Sequence, residues 1–133
     1  GGRVIVDSSA ILAILFREPE WPRLLERLTE GESPGVATPT LVESGLVLAS
    51  RLGPPGKSLL ARFVQESGLR EIPFTAAHWP VAVDAYLRYG KGRHRAALNF
   101  GDCLTYATAA LAREPLLCVG DDFAQTDLPL VPR

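Results

Sequence analysis

The sequence predicts an α/β protein in three layers, a central and mostly parallel sheet with helices on both faces, and three observations carry that expectation. Short strand-like runs alternate with helical stretches from one end of the chain to the other. The runs at Arg3 to Val6 and Leu116 to Val119 are β-branched or wholly apolar, as strands covered on both faces are. With 133 residues and no internal repeat or low-complexity tract, the chain suits one compact domain, set here at residues 3–133.

The opening run Arg3 to Val6 gives way at Asp7-Ser8-Ser9 to the apolar stretch Ala10 to Phe16, which reads as strand, capped turn and buried helix. Glu20 to Glu30 sets Trp21, Leu24, Leu25 and Leu28 at helical spacing against charges, so it is an amphipathic helix. After a loop from Gly31 to Gly35, Val36 to Thr38 makes a very short strand. Thr38 then caps a second buried helix that starts with Pro39 and runs to about Leu52. Gly53-Pro54-Pro55-Gly56 ends it. Lys57 to Ser67 fits a further amphipathic helix and Leu69 to Phe74 a strand. Thr75 caps a helix over Ala76 to Tyr89, in which Pro80 is tolerated near the first turn. A helix from about Gly101 to Arg113 leads to the strand Leu116 to Val119, broken by Gly120-Asp121-Asp122. Pro129 and Pro132 confine a last strand, Leu128 to Val131, to an edge.

Composition narrows the functions. Fourteen Lys and Arg against fifteen Asp and Glu give a net charge of −1, which excludes a uniformly basic nucleic-acid-binding surface, so a polyanion has to be met locally. The best local strip is Arg88 to Arg95, with Arg88, Lys91, Arg93, His94 and Arg95. Cys103 and Cys118 are too few for a disulfide scaffold and lack zinc-site spacing, which points to a reducing cytoplasm. No apolar run reaches the roughly 18 residues of a membrane helix, so no membrane partner is expected. Gly1-Gly2 reads as the remnant of a cleaved tag.

The acidic residues are informative in their placement. No other residue between Asp7 and Arg17 is charged, Glu43 is the only charge from Pro39 to Ser50, and Asp102 the only one from Ala96 to Ala112. Each sits alone at or just inside the start of a buried-looking helix, and Asp121 and Asp122 follow an apolar strand. Strand-to-helix turns gather at one edge of an open α/β sheet, so these groups are expected to converge there. Two carboxylates about 4 Å apart repel by roughly 4 kcal/mol at an effective dielectric near 20. Protons or a cation have to resolve that repulsion, and an all-oxygen set suits Mg²⁺ or Mn²⁺. An Asp after a strand is also an ordinary helix cap; Glu43, among Leu41, Val42, Leu46 and Val47, has no such role.

The run from Val4 to Leu12 around Asp7-Ser8-Ser9, the Glu43 helix introduced by Thr38-Pro39-Thr40, Leu98-Asn99-Phe100-Gly101-Asp102-Cys103, and Gly120-Asp121-Asp122-Phe123 with Thr126-Asp127 together resemble the PIN-domain ribonucleases, VapC type, over essentially the whole chain. The resemblance implies a PIN-like fold and a ribonuclease toxin acting on RNA such as tRNA, rRNA or mRNA. It also implies Mg²⁺ or Mn²⁺ as cofactor, a VapB-like antitoxin and a homodimer. On it Asp7, Glu43 and Asp102 match the core acids and Asp122 the fourth, with Asp121 a neighbouring candidate. Ser9 matches the hydroxyl beside the first Asp, and Asn99 belongs to the Asp102 motif. Arg88, Lys91, Arg93 and Arg95 are candidate RNA contacts. A non-catalytic partner-binding module of the same fold is the alternative. A phospho-accepting receiver would want an acidic pair where Asp7 is followed by Ser8 and Ser9, and a dehalogenase-type phosphatase would want Asp-x-Asp there. No Walker loop or GxGxxG is present.

Overall fold

The computed structural model describes residues 2–133, so Gly1 of the expected tag remnant lies outside the described residues. The element order is β1 (Ile5–Val6), α1 (Ser8–Leu15), α2 (Trp21–Thr29), β2 (Gly35–Ala37), α3 (Thr38–Leu52), α4 (Pro54–Ser67), β3 (Arg70–Ile72), α5 (His78–Tyr89), α6 (Phe100–Ala112) and β4 (Leu116–Leu117), with a 3-10 turn at Phe123–Gln125. The four strands lie side by side as β3-β2-β1-β4, all parallel.

Neighbouring residues on a strand face opposite sides, and this splits the apolar residues into two cores. Ile5 and Leu116 enter one core with Ala85 and Tyr89 of α5 and Tyr106 and Ala107 of α6. Val6, Val36 and Leu117 enter the other with Ile11 of α1, Leu24 and Leu28 of α2 and Leu48 of α3. The expected three layers follow from this division. Strand order reverses at β1: the chain adds β2 and β3 on one side, then returns through α6 to place β4 on the other. Among the described residues no helix is long and apolar enough to cross a membrane.

Several local expectations need correction. The Gly-Pro-Pro-Gly segment ends α3 but does not delay α4 to Lys57. Pro54 and Pro55 form its first turn, where a missing N–H costs nothing, and Gly53 makes the corner at φ 70°. Gly56 lies so close to α3 that a Cβ there would come within 2.5 Å of the Leu48 carbonyl. Thr38 is the first helical residue of α3 rather than its cap. The hydroxyl of Thr75 accepts from the Ala77 amide at 3.2 Å, and α5 itself begins at His78. The last strand shrinks to a bridge between Leu130 and Leu116, its prolines denying it further ladder bonds. α3 is not buried on all sides: Thr40, Ser44 and Leu48 point inward while Val42 and Leu46 are exposed.

Candidate active site

The carboxyl ends of β1 and β4 flank the point where strand order reverses, the crevice in which open parallel sheets gather their chemistry. Asp7 follows β1 directly and caps α1. Its Oδ2 accepts from the Ser9 amide at 3.1 Å and the Ser9 hydroxyl at 2.6 Å. The Val119 amide donates to the same hydroxyl at 2.9 Å, so Ser9 pins the start of α1 to the end of β4. Asp7 is only 4% exposed, and both bonds fall on Oδ2.

Asp102 enters from α6 through a reciprocal cap. Its amide donates to Asn99 Oδ1 at 2.9 Å, and its own Oδ2 accepts from the Asn99 amide at 3.0 Å. Glu43 arrives from α3 in the second helical turn, beyond the reach of the N-terminal amides it was expected to sit near. Its carboxylate rests against Gly101, where a Cβ would lie 2.9 Å from the Glu43 Cδ. Glycine is what lets Glu43 come up beside Asp102.

The electrostatics show which groups share this space. Burial lifts the Asp102 carboxyl from 3.8 to about 6; the bond from Asn99 opposes the rise, and the charges of Asp7, Asp122 and Glu43 add to it. Asp122 therefore belongs to the field around Asp102. Asp121 and Asp122 are both exposed. Burial, with Asp7 next, holds the Cys118 thiol up at about 12, and burial and Asp102 raise that of Cys103.

The donor set fits a hard divalent cation. Among the described residues no hydrogen bond reaches Oδ1 of Asp7, Oδ1 of Asp102 or any carboxylate oxygen of Glu43 or Asp122, and no buried side-chain oxygen lacks a partner. These free oxygens face accessible space. Among the described residues no three acidic, His or Cys side chains stand together as a ready metal cage.

The basic candidates separate. Arg88 reaches Asp127 at 3.6 Å and donates to the Tyr89 hydroxyl at 2.8 Å. Arg93 donates to the Leu87 carbonyl at 3.3 Å and lies over the Tyr86 ring. Lys91 and Arg95 are exposed. His78 and His94 serve local turns, their Nδ1 atoms facing the Thr75 and Ala96 amides. One feature was missed in the sequence: an apolar groove of about 940 Å³ beside Glu43, lined by Val42, Leu46, Trp79, Val83 and Phe100. Phe100 is 82% exposed and Trp79 60%. The available signal was an aromatic immediately before the Gly101-Asp102 pair.

Comparisons with known proteins agree with this geometry. The pattern of the PIN domain family matches residues 4–128. The chain is 49% identical over 126 residues to Ribonuclease VapC36 of Mycobacterium tuberculosis, covering 94% of this chain and 91% of that one. It is 37% identical to Ribonuclease VapC of Mycolicibacterium smegmatis, covering 96% and 99%. In fold it superposes on the crystal structure of Mycobacterium tuberculosis VapC20, a sarcin-ricin loop cleaving toxin, with a TM-score of 0.79, 18% identity and coverage of 98% and 99%. A toxin-antitoxin complex from Klebsiella pneumoniae matches at a TM-score of 0.73, 18% identity and 98% of both chains.

Proposed function

The chain belongs to the PIN domain family, among its VapC members, and on that premise we propose that it is a divalent-metal-dependent endoribonuclease toxin neutralised by a cognate VapB-like antitoxin. The observation that carries the reading is the Asp102 carboxyl lifted to about 6, first by burial and further by the charges of Asp7, Asp122 and Glu43. A site that strains against its own negative charge gains by taking up a cation.

Bound Mg²⁺ or Mn²⁺ supplies a water acidic enough to attack near neutral pH and positive charge for the phosphate oxygens. Asp7 and Asp102 would hold the ion through their unbonded Oδ1 atoms. Ser9 fixes the orientation of Asp7, and Asn99 that of Asp102. Glu43 would orient or ligate it through water, and Asp122 would position the attacking water or a second ion. Lys91 and Arg95 are the side chains left available to draw in an RNA backbone, with Arg93 partly engaged and Arg88 already paired. The exposed groove beside Glu43 favours a protein partner in addition, the antitoxin or a second copy of the chain.

Asp102→Asn tests the reading, since Asn keeps an acceptor for the Asn99 amide while removing the charge. RNA cleavage at saturating Mn²⁺ should fall by at least about 100-fold. Wild-type activity in that variant would overturn the assignment.

A further inference from the structure

Asp122 stands on the least regular part of the acidic edge. After β4 the chain turns at Gly120 with φ 92°, and only the 3-10 turn Phe123–Gln125 intervenes before the edge bridge at Leu130. The Thr126 hydroxyl donates to the Phe123 carbonyl at 2.7 Å and accepts from the Leu128 amide at 3.2 Å. Those bonds shape the turn without orienting it on the rest of the protein. Phe123 is buried beneath it, but apolar contact is non-directional.

Direction comes from α6. The Tyr106 hydroxyl donates to Asp127 Oδ1 at 2.5 Å across a separation of 21 residues. The other oxygen of Asp127 faces Arg88 at 3.6 Å, and Arg88 in turn donates to the Tyr89 hydroxyl and lies over that ring, 4.8 Å from its centroid. Tyr89 and Tyr106 are 5.9 Å apart. One carboxylate is thus clasped between the middle of α6 and the last turn of α5. Asp102 and Tyr106 are four residues apart on α6 and so lie on one helical face. The same rigid helix holds Asp102 directly and reaches the Asp122 segment through Tyr106.

We propose that Tyr106 and Asp127 are positioning residues, the bond between them, steadied by Arg88, setting where the segment after β4 presents Asp122 to Asp102. The inference rests on the ribonuclease reading above for its effect on catalysis. Burial and the bond to Asp127 push the Tyr106 phenol above its ordinary range, so it stays a donor throughout the neutral region. Arg88 belongs to this clasp.

Tyr106→Phe removes one hydroxyl and keeps the ring. Measured on the full chain, kcat should fall on the order of tenfold with KM within about twofold, because ground-state RNA contacts are untouched. Mn²⁺ should bind more weakly by calorimetry, and amides 120 to 126 should exchange faster, while the melting temperature drops by less than about 5 °C. Asp127→Asn, which keeps an acceptor for the phenol, should recover most of what Asp127→Ala loses. Wild-type kcat in Tyr106→Phe, or an Asn variant no better than Ala, overturns the clasp. A wild-type chain that neither cuts RNA nor binds Mn²⁺ sinks the ribonuclease reading separately. Amide exchange then judges the clasp alone, unchanged rates in Tyr106→Phe overturning it and faster rates supporting it.

Discussion

The start of α6 and the segment after β4 bring Asp102 and Asp122 into one electrostatic field by opposite means. Asp102 is held by residues next to it in the chain: a reciprocal pair of bonds with Asn99 fixes its side chain wherever α6 goes. Asp122 has no such local device, and its place depends on a buried Phe123 and a bond made by Asp127 to a distant tyrosine. A capped carboxylate is pre-set at little entropic cost, since the helix terminus already needs an acceptor. A strapped one can be displaced without unfolding anything. The first end supplies a fixed charge and the second an adjustable one.

The sharpest way to break that contrast is to disturb the fixed end without loosening its cap. Gly101→Ala places a methyl against the Glu43 carboxylate. Two effects compete. Ala is the better helix former by up to about 1 kcal/mol, and the displaced atoms are the far end of a flexible side chain, so stability should hold or rise slightly. Activity has no such compensation: with Glu43 pushed away from Asp102, cleavage should fall by about 100-fold. Parallel thermal melts and RNA cleavage assays check this. Equal losses in both would mean the methyl acts on folding and not on Glu43.

What could be read in advance follows the same division. Asp7 and Asp102 were legible because capping is a short-range affair, written within three or four residues in Asp7-Ser8-Ser9 and Asn99 to Asp102. The alternation of strands and helices was legible for the same reason. Glu43 was noticed as a lone charge, but its neighbour Gly101 lies 58 positions away, and no local pattern announces that contact. The Tyr106 and Asp127 pair is invisible on the same grounds. Pro54 and Pro55 misled because a proline ends one helix and begins another with equal ease, and only the corner at Gly53 decides. The exposure of Trp79 and Phe100 was not legible because helical periodicity reports that a face is apolar, not what covers it.

At the strapped end, Asp121 and Asp122 are adjacent and alike in sequence, and Asp122 is among the charges that raise Asp102. Asp122→Asn should lower kcat by on the order of tenfold, and Asp121→Asn by less than about twofold. Single-turnover cleavage of one RNA by both variants makes the comparison. Reversed magnitudes would move the fourth acid to Asp121 and the clasp argument with it.

The smallest effect concerns stability without metal, and its sign is fixed by the direction of the Asp102 shift. The folded chain holds that proton up to about pH 6, whereas the unfolded chain releases it near the ordinary value of 3.8. Between those values the folded state binds more protons, so stability falls as pH rises from about 4 to 6 and levels off above. Asp102→Asn removes the titration but keeps a cap acceptor. In chelator it should melt above wild type by a few degrees at pH 7, less than a full conversion of the shift would give because Asp102 is only partly buried. The gap should close as pH approaches 4. Added Mn²⁺ should raise the wild type more than the variant, since an ion gains most where charge is unrelieved. A gap that ignores pH would place the strain elsewhere than in the meeting of these carboxylates.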